Sequence, residues 1–206
     1  MSLSPADRRQ QILDAAVRVF ARRGFHACRV SDIADEAGVA HGLLYHYFSS
    51  KDEVLDTLFL ERWKVMLDVI RAVDAEEQPV REKLYAIASF IIDSYRHDPD
   101  VMTVIIVDVT RAANSFGQAH LPDIRQAFVL IGEIVAKAQA DGQLKSSVEA
   151  RFAALAFYGV IEQLLTGWIF DLLPRDDEYF ERAKWMVVET ICGGLEVPDA
   201  KSVEAR

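Results

Sequence analysis

Between Ser31 and Leu55 the chain reads SDIADEAGVAHGLLYHYFSSKDEVL, a stretch that gathers side chains able to bond phosphate oxygens and base edges. Tyr45 offers a hydroxyl and His46 a ring nitrogen for such bonds. Gly42, with no Cβ, lets the backbone come close to another molecule. Lys51 places a positive charge at the start of a helix, where unpaired backbone N–H groups already favour an anion. These groups work together only on a common surface, so the elements that hold them decide the chemistry.

The apolar spacing supplies those elements. Ile33, Ala34 and Ala37 share one face of a short helix expected over 30–37, and Gly38 suits the left-handed residue that ends it. A second short helix is expected over 41–48. Val39 and Leu44 can pack against the first and leave His41, Gly42, Tyr45 and His46 outward. Two short helices joined by a tight turn make a helix-turn-helix when the second fits a major groove; a hairpin within an ordinary bundle, with an aromatic core, has the same pattern. Before them, Ser4-Pro5-Ala6-Asp7 opens a helix whose Ile12, Leu13, Ala16, Val19 and Phe20 run to Gly24. After them, Ser50-Lys51-Asp52-Glu53 reads as a capping box for a helix to about Val73, with Val54, Leu55, Leu58 and Phe59 inward.

Beyond the polar break at 74–79, longer helices are expected over 81–96, 99–113, 122–140, 147–173 and 177–193. Asp98-Pro99, Asp141-Gly142, Ser146-Ser147-Val148-Glu149 and Pro174 punctuate them. No stretch alternates with a period of two, so the expected fold is all-α. It divides into an N-terminal three-helix domain over 1–55, containing the helix-turn-helix, and a larger helical domain over 56–206. The net charge is -9, yet 1–55 holds seven basic and seven acidic residues, so the whole excess lies beyond Leu55. A neutral head on an acidic body permits phosphate contact at the head and repels it elsewhere. Cys28 and Cys192 lie far apart without zinc or disulfide spacing, and MSLSPADRRQQ has no apolar signal core, so a cytoplasmic location is expected. No Walker loop, Gly-rich dinucleotide turn, HExxH or Cys/His spacing occurs, which argues against an enzyme, a cofactor or a metal.

The stretch 10–58 closely resembles the DNA-binding domain of the TetR family of bacterial transcription regulators. ILDAAVRVFARRGF, SDIADEAGVA and LLYHYFSSKDEVL carry the likeness, in register at Phe20, Gly24, Phe25, Asp32, Ile33, Ala34, Ala37, Gly38, Val39, Leu44, Tyr45, Tyr47, Phe48, Ser50, Lys51 and Leu55. The resemblance implies DNA contacts at Arg29, Ser31, His41, Gly42, Tyr45, Tyr47 and Lys51, with Phe48 in the core. It departs where Cys28 and Arg29 replace the usual hydroxyl, where Ala40 replaces a capping Ser, and at His41 and Leu43. A missing cap typically costs about 1 kcal/mol. These departures are the support for a rival reading, a helical adaptor that keeps the fold without binding DNA.

The segment 151–173, RFAALAFYGVIEQLLTGWIFDLL, is apolar on nearly every face and long enough to span a bilayer. Glu162-Gln163 at mid-span, no basic flank and no second span favour a core helix over a membrane partner. One side would face its own domain and the other a second subunit, with Ala154, Gly159 and Gly167 allowing close approach. Phe180, Trp185, Val188, Ile191 and Leu195 mark the last helix as its neighbour. Leu165 and Trp185 are expected at the contact. The family resemblance implies a homodimer built from these helices, whose two heads read a palindromic double-stranded DNA operator at about 34–36 Å spacing.

VMTVIIVDVTRAANSF is strongly apolar yet holds Asp108 and Arg111. With Phe90, Met102, Phe128, Phe157 and Trp168, these residues either fill the core or line a largely apolar cavity for a small molecule. If Arg111 points inward it is the group to meet an anionic head. DGQL followed by FYGVIEQLLTGWIF is similar to the fatty-acid-responsive, FadR-type branch of the family, which implies a fatty acid or long-chain acyl-CoA as effector. A planar aromatic compound or hydrophobic drug is the rival ligand. Repression is what the resemblance implies for the direction of control.

Overall fold

The computed structural model describes residues 4–110 and 119–195, and the side chains of these except 108–110 and 195. Every regular element among the described residues is helical. The described residues pack as two compact units, those within Met1–Lys64 and His97–Ala119 and those within Val65–Arg96 and His120–Arg206. The expected division after Leu55 falls inside a helix that runs unbroken over Lys51–Ala75. A continuous helix gives no compositional sign of where packing changes partner.

In the first unit α1 (Pro5–Arg23) packs on α2 (Val30–Ala37), and α2 on α3 (His41–Tyr47). The first part of α4 (Lys51–Ala75), α6 (Pro99–Thr103) and the π-helical turns Val104–Thr110 complete it. Ser4 and Asp7 form the full capping box at the start of α1. The Asp7 N–H donates to Ser4 Oγ at 3.1 Å, and the Ser4 N–H donates to the Asp7 carboxylate at 3.3 Å. Ile12, Leu13, Phe20, Leu44, Phe48, Leu55 and Phe59 fill the core. The box expected at α4 is only half formed: the Glu53 N–H donates to Ser50 Oγ at 3.1 Å, while the Glu53 carboxylate accepts from the N–H and hydroxyl of Ser49, each at 2.6 Å. The single helix expected over 99–113 changes its winding at Val104. Four apolar residues in a row there, Val104-Ile105-Ile106-Val107, give no periodicity that separates α from π spacing.

The second unit holds the rest of α4, α5 (Val80–His97) as far as Arg96, α7 (Leu121–Ala140), α8 (Ala150–Ile169) and α9 (Asp177–Leu195). α8 packs against both α7 and α9. It starts later than the expected 147 and carries no side-chain cap at Glu149. Gln139 holds the preceding segment as a loop by donating to the carbonyls of Lys145 and Val148, both at 2.8 Å. α8 also ends earlier than 173. Asp171, at φ 59°, takes the left-handed position usual for glycine; its N–H donates to Trp168 O and that of Leu172 to Gly167 O at 2.7 Å. The chain then folds back so closely that a Cβ on Gly167 would stand 2.5 Å from Leu173 Cδ1.

Trp168 centres an aromatic cluster with Phe180 at 4.6 Å and Tyr95 at 5.7 Å, and its indole N–H donates to Pro174 O. Lys184 is buried between Asp93 and Glu181, at 2.8 and 2.7 Å. Burial opposes its charge, but the hydrogen bonds to Asp93 and then Glu181 outweigh that, so its pKa is raised. α8 is long and apolar enough to cross a membrane by length and composition. Within the unit Ala153, Ala154, Phe157, Tyr158, Ile161, Leu165 and Trp168 of this helix are buried, as in a core helix. Phe152, Leu155 and Phe170 are exposed on and just after α8, as are Trp185 and Met186 on α9. Leu165, expected at the subunit contact, is instead buried in its own unit, and Trp185 is exposed with its ring stacked on Tyr85 at 4.3 Å.

Candidate nucleic-acid interface

The turn between α2 and α3 is set by backbone geometry. Gly38 adopts φ 63°, ψ 36°, and the N–H of Val39 reaches back to Ala34 O at 3.0 Å while that of Gly38 reaches Asp35 O at 3.1 Å. This double closure stops α2 within one residue. α1 fixes α2 from the other side. Gln11 Nε2 donates to Ala37 O at 2.7 Å, and Arg18 and Arg22 both bind the Glu36 carboxylate, Arg18 at 2.8 Å. Hydrogen bonds from Arg18 and then Arg22 hold the Glu36 carboxyl below its ordinary pKa.

The start of α2 shows the expected missing cap: Arg29 has no side-chain hydrogen bond to the helix. Half of a capping box compensates. The Asp32 carboxylate accepts from the Arg29 N–H at 2.8 Å and pairs with Arg23 at 2.8 Å. The Arg29 N–H, then the Arg23 charge, lowers the Asp32 pKa. Ala40 likewise opens α3 without a side-chain cap.

α3 has an inward and an outward side. Leu44 is fully buried and Phe48 just beyond the helix is buried, which anchors it to the unit. On the other side His41, Gly42, Leu43, Tyr45 and His46 are exposed, with Tyr45 at 55%. A Cβ at Gly42 would meet nothing within 4 Å, so no packing within the chain demands glycine there. The His41 ring lies 3.5 Å from the Asp35 carboxylate. Tyr47 is half-buried with its ring edge-on to His46 at 5.3 Å. Arg29 is exposed and Ser31 half-exposed at the start of α2. At the start of α4 the Lys51 ammonium donates to the carbonyls of Phe25 and Cys28, at 2.7 and 3.1 Å. Those partners lie 26 and 23 residues away, and no local spacing announces them.

The candidate effector residues are divided between the two units. Met102 belongs to the first unit, while Phe90, Phe128, Phe157 and Trp168 belong to the second. Phe157 and Trp168 are fully buried, and Trp168 has its polar group satisfied, as core residues do. Phe128 is half-buried, edge-on to Tyr158 at 5.2 Å. Burial, and then the Glu162 charge one turn on, pushes the Tyr158 phenol pKa up. Arg111 and the side chain of Asp108 lie outside the described residues.

Comparison with known proteins agrees with this geometry. Residues 12–58 match the N-terminal model of the bacterial regulatory proteins of the tetR family, and residues 59–179 match the C-terminal region of YsiA-like proteins. The Fatty acid metabolism regulator protein of Bacillus subtilis is 28% identical over 177 residues, covering 83% of this chain and 91% of that protein. The fatty acid degradation regulator FadR of Bacillus halodurans superposes with a TM-score of 0.82 at 26% identity, covering 94% of this chain and 98% of that one. FadR of Bacillus subtilis, solved in complex with stearoyl-CoA, gives a TM-score of 0.79 at 26% identity, covering 90% and 98%. The chain belongs to the TetR family, FadR-type, of ligand-responsive, DNA-binding transcription regulators.

Proposed function

We propose that this regulator is a homodimeric repressor whose two α3 helices read a palindromic operator and which a long-chain acyl-CoA releases. The observation that carries the DNA half is the division of α3, with Leu44 fully buried and His41, Gly42, Tyr45 and His46 presented outward. Arg29, Ser31 and Tyr47 flank that face, and Arg29 is the exposed guanidinium best placed by sequence position to meet a phosphate. The exposed apolar residues Phe152 and Leu155 of α8 and Trp185 and Met186 of α9 support pairing of two copies through these helices. The stearoyl-CoA bound by a relative of 26% identity supports the effector class.

Ligand control needs two conformations that differ in affinity for both DNA and effector. α4 is continuous from Lys51 to Ala75 and contributes residues to both units, which makes it the element to carry that difference.

The experiment is capture of genomic fragments by the purified chain, followed by titration of recovered sites against salt. A short palindrome should be enriched, with affinity falling linearly in logarithmic salt by about 0.9 per phosphate contacted. Stearoyl-CoA, added to the complex, should release the DNA at lower concentration than stearate or an aromatic drug. Enrichment of no palindrome refutes the DNA assignment. Release by the aromatic compound alone refutes the effector class and leaves the DNA assignment standing.

A further inference from the structure

α4 begins with a cation at the end where helices disfavour one. Lys51 is its first residue, beside Asp52 and Glu53, the residue type that the partial positive charge of that end prefers. The side chain leaves that end altogether. Its Nζ donates to Phe25 O at 2.7 Å and Cys28 O at 3.1 Å, lies 3.5 Å from His26 O, and sits 4.4 Å from the centroid of the Phe25 ring. An ammonium has three N–H donors: Phe25 O and Cys28 O take two, and His26 O stands at the limit of reach for the third. Turning Nζ outward to a phosphate would strip a charged donor from the Phe25 and Cys28 carbonyls, and a single new bond to phosphate would do no more than offset that loss.

All three carbonyls belong to the loop joining α1 to α2, which delivers the chain to Arg29. The other arginines near that loop are engaged within the unit, Arg18 and Arg22 with Glu36 and Arg23 with Asp32. Arg29 is exposed at the start of α2, and its N–H is fixed by Asp32. The loop that Lys51 clasps therefore carries the guanidinium that faces out.

We propose that Lys51 is a positioning residue: it clamps the 25–28 loop so that Arg29 meets the DNA backbone, and it makes no phosphate contact itself. The role rests on the DNA-binding reading of Arg29.

Two measurements on the full chain test it. The first is acylation of lysines by an acetyl ester, read by mass spectrometry, with and without operator. Lys51 should react much more slowly than exposed Lys64 in the free chain, and DNA should leave its rate unchanged. Labelling as fast as Lys64 in the free chain, with protection by DNA, would overturn the clamp and make Lys51 a phosphate ligand. The second is a double-mutant cycle on operator affinity. Lys51→Met and Arg29→Ala should each weaken binding by roughly tenfold or more, as for hydrogen bonds to a charged group. The double variant should lie within about twofold of Arg29→Ala alone, because the two act through one contact. Independent ligands would multiply their losses and lower the salt slope a second time by about 0.9 per head. Lys51→Met that lowers the melting temperature but leaves affinity intact would reduce the residue to a structural role and overturn the proposal. Slow labelling in a chain that captures no DNA would refute the DNA reading and this role with it, whereas fast labelling in a chain that does capture DNA refutes the clamp alone.

Discussion

Leu44 and Tyr45 are neighbours on α3 that face opposite ways, and exchanging each for alanine should separate folding from DNA binding. Leu44 has no exposed surface. Leu44→Ala removes buried methyl groups and leaves a cavity, which costs about 2–5 kcal/mol in well-packed cores. Tyr45 is 55% exposed, so its loss from the free chain should change stability by about 0.5 kcal/mol or less, as at most surface sites. On DNA the order reverses. A side chain that bonds a base edge contributes about 1–3 kcal/mol, a factor of roughly 5 to 150 in affinity at each half-site. Thermal denaturation followed by circular dichroism gives the first quantity, and fluorescence anisotropy of a labelled operator gives the second. Tyr45→Ala should melt like the parent and bind DNA poorly. Leu44→Ala should melt well below the parent, and at a temperature where it is folded it should keep much of its affinity. A Tyr45→Ala chain that melts with Leu44→Ala, or that binds operator unchanged, would show that the ring belongs to the core and that the outward face of α3 is not the reading face.

Gly42→Ala should stabilise the free chain by up to about 1 kcal/mol, since the added Cβ meets nothing and alanine favours helix. The same variant should lose operator affinity if DNA approaches that backbone, and calorimetry with anisotropy would check both signs. Phe152→Glu, at a residue 63% exposed, should leave the fold intact and shift sedimentation from dimer to monomer; a dimer that persists would refute pairing through this face of α8. Leu165→Lys, by contrast, should unfold the second unit, because Leu165 is buried there. Glu36 has a depressed pKa, so its contribution is present above the ordinary value of 4.5 and is lost as pH falls through its lower folded value. Glu36→Gln should therefore lower the melting temperature at about pH 7, and should show a smaller further drop than the parent on going to about pH 3.

Whatever lies in local spacing is legible in the sequence. The Ser4-Pro5-Ala6-Asp7 start of α1, the 30–37 extent of α2 and its stop at Gly38 all appear as the spacing implies. The outward set on α3 is legible for the same reason, because burying Leu44 determines where His41, Gly42, Tyr45 and His46 must point. Features that depend on distant partners are not legible. Gln139 reaching Lys145 and Val148 removes the cap expected at 146–149. Asp171 ends α8 in a conformation that glycine usually signals, so residue types alone place the stop several residues late. In α8 nearly every residue is apolar, and hydrophobicity alone cannot tell that Leu165 faces the core while Phe152 and Leu155 face out. The clasp of Lys51 on the 25–28 loop joins residues 23 to 26 positions apart, which local spacing does not announce.

The neutral charge balance of 1–55 acquires a structure that the count alone lacks. Glu36 is matched by Arg18 and Arg22 and Asp32 by Arg23, while Arg9 pairs with Glu61, beyond that stretch. These acids screen cations within the unit rather than opposing DNA. Asp35 is different, being exposed near the start of α3 with its carboxylate 3.5 Å from the His41 ring. That distance is at the limit of a hydrogen bond, so Asp35 acts on the interface mainly through its charge. A unit negative charge about 8 Å from a phosphate in water repels it by roughly 0.5 kcal/mol, about a factor of two in affinity per head. Asp35→Asn should therefore tighten operator binding by about twofold for each head, with the gain fading as salt screens it over about 8–10 Å. Anisotropy titrations of the parent and variant at low and high salt would measure both effects. Weaker binding by Asp35→Asn at every salt concentration would show instead that the carboxylate orients His41 for contact. Repulsion of phosphate would then not be what decides affinity at this position, and the outward placement of His41 would acquire a function.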